Sequence, residues 1–170
     1  MDLASMIRDV PDFPKPGIIF KDITTLIKDP DAFQTAIDAM LDYCEDMMID
    51  VVVAVESRGY IFGGALAYEL GAGFVPVRKL DKLPAETISV EYSLEYGTAV
   101  LEMHKDAIEP GQKVLVIDDL LATGGTAKAT IDLVERLGGE VAAVLFLIEL
   151  TFLNGLEKLK GYDVYSLIEF

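Results

Sequence analysis

The chain has 170 residues, 52% hydrophobic and 25% charged, with 14 Lys and Arg against 29 Asp and Glu. That content excludes a disordered chain and suffices for one packed core without staples. The net charge of −15 leaves no cation excess to displace counterions from phosphates, which argues against a nucleic-acid binder.

Three further features bear on location. A single cysteine, Cys44, cannot form an internal disulfide, which suits a reducing cytoplasm. Mean hydropathy is +0.37, yet the longest apolar stretch, Val141 to Ile148, falls far short of the ~18 residues a spanning helix needs. Met1 to Ala4 shows no basic and then apolar leader pattern. The expected setting is the cytoplasm, with no membrane partner.

In chain order, Pro11, Pro14 and Pro16 followed by Gly17 predict an extended opening segment. Asp29-Pro30 opens a helix with Phe33, Ala36, Ile37, Met40 and Leu41 at helical spacing. Val51 to Val55 is a continuous apolar run, β-branched at all but Ala54, the mark of a strand buried on both faces in a parallel sheet. A Gly-rich helix is predicted over 60–70 and a strand over 74–77. Val114 to Ile117 forms another buried strand, and 126–137 a helix ended by Gly138-Gly139. Strands at 141–148 and 164–168 complete an alternating pattern, which predicts an α/β fold with a central, mostly parallel sheet flanked by helices. Ligands of such sheets bind beyond the carboxyl ends of the strands.

Residues 78–97 interrupt the alternation. They are long for a connection, and Ile88, Val90, Tyr92, Leu94 and Tyr96 alternate with polar residues. This predicts an extended ribbon projecting over the sheet as a mobile lid. His104, in parity with Thr98 and Glu102 and away from the apolar face, reads as a surface strand residue. Cys44 and Met47-Met48 read as packing. No His/Cys cluster has metal-ligand spacing.

The sharpest signal runs from Val114 to Thr126. A buried strand delivers Asp118 and Asp119 at its carboxyl end, and a small-residue loop feeds a helix N-terminus, which favours an anion. Gly124 and Gly125 permit close approach of a phosphate, while Thr123 and Thr126 supply hydroxyls. The two acids would repel that phosphate and should face sugar hydroxyls or a cation. Taken alone, an Asp-Asp or Gly-Gly pair is more simply a turn. The loop also lacks the Lys of a P-loop.

The whole string, an apolar strand, two acids and Ala-Thr-Gly-Gly-Thr, resembles the 5-phosphoribosyl-1-diphosphate (PRPP) signature of the type I phosphoribosyltransferases, in the form carried by members acting on adenine. Further matches are Asp12 to Thr24 with the family's N-terminal base-binding segment and Glu56 to Gly63 with its diphosphate loop. Gly73 to Lys79 and Ser93 to Gly97 match the ends of its flexible loop. Together they cover nearly all the chain from Asp12 onward.

The resemblance implies a type I phosphoribosyltransferase fold in a single domain, 1–170, with an N-terminal base-binding hood at 1–28 and the lid at 78–97. The implied reaction is purine salvage, transfer of the 5-phosphoribosyl group from PRPP to adenine with release of AMP and diphosphate. Hypoxanthine, guanine or xanthine is an alternative base, and a PRPP-sensing regulator of the same fold a more distant one. By the same resemblance, Asp118 and Asp119 meet the ribose hydroxyls and Ala122, Thr123, Gly124, Gly125 and Thr126 hold the 5-phosphate. Ser57, Arg58, Arg78 and Lys79 meet the diphosphate, to which a guanidinium fork is well suited; Lys82 reads as solvated. Ile19, Phe20, Lys21 and Leu150 surround the adenine, with Lys21 where the family commonly has Arg. Glu95 is the implied acid/base residue. Mg²⁺ is expected to be held mainly through PRPP, without a dedicated protein metal site, and the chain is expected to be a homodimer.

Overall fold

The computed structural model describes residues 1–94 and 96–170; Glu95 lies outside the described residues. Near the N-terminus, β1 (Arg8–Pro11) and β2 (Ile19–Asp22) form an antiparallel two-stranded sheet. Its register places Arg8 opposite Asp22 and Asp9 opposite Lys21, and both cross-strand pairs are salt bridges, at 2.5 and 2.7 Å. The short helix α1 (Thr24–Ile27) follows, then α2 (Pro30–Tyr43). As expected from Asp29-Pro30, the Asp29 side chain caps α2 by accepting from the Ala32 N–H at 2.9 Å.

The main sheet contains β3 (Val51–Val55), β4 (Gly73–Lys79), β5 (Thr87–Ser93), β6 (Thr98–His104), β7 (Lys113–Leu121), β8 (Glu140–Glu149) and β9 (Val164–Glu169), with α3 (Gly59–Leu70) and α4 (Gly125–Arg136) between strands. Its order is β5-β6-β4-β3-β7-β8-β9. The five strands from β4 to β9 in that order are parallel. All five residues of β3 are buried, and alternation explains why. Val52 and Ala54 join the core beneath α2 and α3, whereas Val51, Val53 and Val55 join the core beneath α4.

The ribbon expected at 78–97 exists, but it does not project over the sheet. It becomes the antiparallel hairpin β5–β6, which extends the sheet edge through Arg78↔Glu102 and Lys79↔Leu101. Its buried face packs on α4; Arg136 Nη1 donates to the Ser89 carbonyl at 2.9 Å, and Tyr92 sits beside Thr126. Parity also misplaced Glu102, which is buried. It accepts from the Asp81 N–H and the Thr87 hydroxyl, each at 2.7 Å, so its carboxylate fastens the stretch between β4 and β5. His104 is half-buried and accepts from the Ala85 N–H at 3.2 Å.

Among the described residues no helix is long and apolar enough to cross a membrane.

Candidate active site

Adjacent parallel strands present their carboxyl ends along one edge. The order β4-β3-β7 therefore brings three sequence-distant segments together: Arg78-Lys79, Glu56 to Arg58, and Asp118 to Thr126. They enclose a pocket of about 420 Å³ lined by Ser57, Arg58, Lys79, Asp118, Asp119 and Ala122 to Thr126, together with Glu56, Tyr92, Leu101 and Phe146.

Arg58 and Asp119 face each other directly. Arg58 Nε donates to Asp119 Oδ2 at 2.5 Å, with the Asp119 side chain only 9% exposed and Arg58 half exposed. Burial works against the Arg58 cation, but the carboxylates of Asp119 and Asp118 more than offset it and hold its proton more tightly than usual. The same guanidinium lies 5.6 Å from the Phe20 ring. Arg58 thus touches both the acid pair and the aromatic of the N-terminal hairpin.

Asp118 differs from its neighbour. Gly59 packs so closely on it that a Cβ there would lie 3.1 Å from Asp118 Oδ1. Burial, then the Asp119 charge, push the Asp118 carboxyl well above the usual carboxylate range. An acid with a raised folded-state pKa binds its proton more tightly folded than unfolded. Stability therefore falls as pH rises from the ordinary 3.8 toward the raised value, and stays depressed above it. Asp118→Asn, which keeps an oxygen for the Asp119 N–H (2.8 Å), is expected to raise Tm at neutral pH. The gain should vanish below the ordinary carboxyl pKa. Thermal unfolding of both chains across that range checks this; equal Tm values at neutral pH would refute the buried charge.

The loop into α4 has the form an anion requires. Gly124 adopts φ +89°, and a Cβ on it would sit 2.6 Å from the Gly155 carbonyl oxygen. Glycine is needed there on both counts. α4 then begins at Gly125, with its first N–H groups free to face the pocket.

Not every expected residue lines this pocket. The Arg78 guanidinium is turned to Glu56 (Nε to Oε1, 3.5 Å) and to the Lys82 carbonyl (3.3 Å). Ile19, Phe20 and Lys21 lie on β2 outside the lining, with Ile19 exposed and Phe20 edge-on to Phe13 at 5.2 Å. The Lys21 ammonium is taken up by Asp9 at 2.7 Å and by the Phe170 ring at 3.9 Å. Leu150 is half-buried against the core under α2, its N–H donating to the Leu121 carbonyl at 3.0 Å.

Three residues of the site were not singled out from sequence. Glu56 accepts from the Lys79 N–H at 2.7 Å, and that bond first, with the Arg78 and Lys79 charges behind it, lowers its carboxyl below the usual range. Its signal was its place next to Ser57-Arg58. Tyr92 carried only its parity in the ribbon, and Gly155 carried none.

A doubly covered, mostly parallel sheet with an acid pair and a glycine-containing strand-to-helix turn at its carboxyl edge defines an α/β protein whose candidate site lies beyond the carboxyl ends of its strands. The chain belongs to the phosphoribosyltransferase family, the phosphoribosyl transferase domain model matching residues 23–166. It is 59% identical to the adenine phosphoribosyltransferase of Acetivibrio thermocellus over the whole of both chains. It superposes with a TM-score of 0.97 on the crystal structure of adenine phosphoribosyltransferase from Thermoanaerobacter pseudethanolicus, at 57% identity, covering 99% of this chain and 98% of that one. The Saccharomyces cerevisiae enzyme, crystallised with an imino-altritol bisphosphate and adenine, gives a TM-score of 0.92 at 41% identity, covering 98% and 96%.

Proposed function

We propose that this chain transfers the 5-phosphoribosyl group of PRPP to adenine, forming AMP and releasing diphosphate. One observation carries the reading: a single pocket holds Asp118-Asp119, the Ala122–Thr126 cradle, Arg58 and Lys79 together. That is one group set for each part of PRPP: ribose diol, 5-phosphate and diphosphate. The full-length likeness to adenine phosphoribosyltransferases selects adenine among the purines.

In the reaction the bond from ribose C1 to the diphosphate oxygen breaks with its electron pair leaving on diphosphate. Adenine N9 then captures the oxocarbenium-like C1 and loses its proton. Ser57, Arg58 and Lys79, with Arg78 once it turns from Glu56, stabilise the leaving charge. Asp119 and Asp118 orient the ribose, and the cradle holds the 5-phosphate so that C1 is aimed at the base. Ile19, Phe20, Lys21 and Leu150 form the base site on the side of the N-terminal hairpin, Phe20 by stacking. The hood at 1–28 covers the base side of this one domain, and the segment 78–97, resting along the sheet edge, acts as the lid by moving over the site once PRPP is bound, excluding water that would hydrolyse it.

The donors present suit Mg²⁺, which takes one or two carboxylates and otherwise substrate phosphate oxygens. Asp118 and Asp119 would stay on the ribose hydroxyls, and the ion would be held mainly through PRPP, without a dedicated protein metal site. When bound it supplies neutralisation of the diphosphate charge.

Glu95 is assigned to the proton on adenine. Glu95→Gln is expected to lower kcat on the order of tenfold with little change in KM; a wild-type kcat removes it from the mechanism. Cytoplasmic location and a homodimer complete the proposal. Ile61 and Tyr68 share one exposed face of α3, seven residues apart, and exposed Phe74 packs on the same helix at Gly63. A helix apolar all round is a buried helix, and a second copy is the cover proposed. Sedimentation should give twice the chain mass, and Tyr68→Glu the monomer; a monomeric unaltered chain refutes the dimer.

The deciding experiment is diphosphate release from PRPP with Mg²⁺, run separately with adenine, hypoxanthine, guanine and xanthine. Release with adenine alone is expected. Release with an oxopurine would overturn the base assignment, and PRPP binding without release would point to a sensor.

A further inference from the structure

The cradle from Ala122 to Thr126 offers N–H groups and hydroxyls but no cation, although a 5-phosphate carries close to two negative charges. Two side chains from other elements flank it. A Cβ on Gly125, the first residue of α4, would lie 3.2 and 3.6 Å from ring carbons of Tyr92 and 4.0 Å from Lys158 Nζ. The Tyr92 hydroxyl is 3.2 Å from Thr126 Oγ1, one of the cradle's own donors. Tyr92 also lines the pocket.

Lys158 is exposed, but the backbone that carries it is fixed by packing. It belongs to the 3-10 turn Gly155–Leu159, whose Gly155 is pressed against Gly124 and Ala122 too tightly for any side chain between them. The adjacent Glu157 is bonded to Lys160 at 2.8 Å. Among the described residues, Lys158 has no acidic partner within salt-bridge distance. An ammonium beside a helix N-terminus is opposed by the helix dipole. An anion seated between the two reverses the sign, because it attracts both.

We propose that the 5-phosphate site extends beyond its loop to the Lys158 ammonium and the Tyr92 hydroxyl. The proposal rests on the PRPP reading above and deepens it. Lys158 supplies the cation the loop lacks. Tyr92, released from Thr126 when that hydroxyl turns to the phosphate, donates to the same phosphate and ties strand β5 to the occupied site. Phosphate binding therefore steadies the β5–β6 hairpin.

The test compares ribose 5-phosphate and diphosphate as separate probes, by calorimetry on the full chain. Lys158→Met, which keeps the stem and removes the charge, should weaken ribose 5-phosphate about tenfold or more and leave diphosphate affinity unchanged. Lys158→Arg should restore most of the loss, and the salt dependence of ribose 5-phosphate binding should flatten in Lys158→Met. Tyr92→Phe should weaken ribose 5-phosphate several-fold and abolish the slowing of amide exchange that ribose 5-phosphate causes across residues 87–104 in the unaltered chain. Unchanged ribose 5-phosphate affinity in Lys158→Met, or equal losses for both probes, overturns the Lys158 assignment. Unchanged exchange protection in Tyr92→Phe overturns that of Tyr92. The underlying reading fails separately: there, the unaltered chain itself would not bind ribose 5-phosphate.

Discussion

Asp119→Asn is expected to lower kcat/KM for PRPP by about two orders of magnitude, the loss of two charge-assisted hydrogen bonds to a sugar diol, with KM for adenine nearly unchanged. The carboxylate is buried and its only cationic partner is Arg58 at 2.5 Å among the described residues. In the structure the two groups neutralise each other. On the proposed reading, ribose hydroxyls would replace that partner on Asp119, and the freed guanidinium would turn to the diphosphate. An Asn side chain keeps the shape but offers one weak acceptor where the diol needs two strong ones. Folding should change little, because Arg58 is half exposed and its pairing is screened by water. Steady-state kinetics with each substrate varied in turn, alongside Tm, separates the two effects. Unchanged PRPP affinity would remove Asp119 from the ribose.

The parallel part of the fold was legible because burial on both faces leaves a mark within a single segment. Val51 to Val55 is apolar at every position, since alternate residues enter the cores on opposite sides of the sheet. The hairpin β5–β6 was legible only in part. Alternation in Ile88, Val90 and Tyr92 says that one face is covered, but not by what. The cover is α4, more than thirty residues on, so the ribbon lies along the sheet edge instead of over it. Glu102 defeated parity because two local donors, the Asp81 N–H and the Thr87 hydroxyl, make its burial affordable. The register of β1 and β2 had a signal in the crossed charges Arg8-Asp9 and Lys21-Asp22. It is too short a pattern to separate from surface charge without the pairing itself.

The site divides along the same line. Asp118 to Thr126 is one contiguous strand-to-helix turn, so its anion-favouring form can be read from the sequence, while its PRPP chemistry came from the family resemblance. Arg58 and Lys79 reach the same pocket because strand order places β3 beside β7 and β4 beside β3. No property of residues near position 58 or 79 announces that order; the family resemblance supplied it. Contacts made by shape, such as that of Gly155, leave no chemical pattern to read.

Gly155→Ala should therefore be damaging although residue 155 bears no functional group. A Cβ there would lie 2.5 Å from the Ala122 carbonyl oxygen, and 2.8 and 3.0 Å from the Leu121 side chain. Leu121 is almost fully buried and cannot swing aside, and a backbone oxygen at 2.5 Å cannot be accommodated by a rotamer change. Either the turn Gly155–Leu159 lifts off the loop, carrying Lys158 with it, or Ala122 to Gly124 shift and spoil the cradle. Both routes weaken ribose 5-phosphate, by tenfold or more on the order expected of a strained binding loop, and cost about 1–3 kcal/mol of stability as overpacking does. Diphosphate affinity should fall much less, because Arg58 precedes α3 and Lys79 ends β4, neither of them part of the turn. Calorimetry with the two probes and urea unfolding measure all three quantities. A Gly155→Ala chain that binds ribose 5-phosphate normally would mean that the cradle keeps its shape without the turn, and the placement of Lys158 beside it would lose its structural basis.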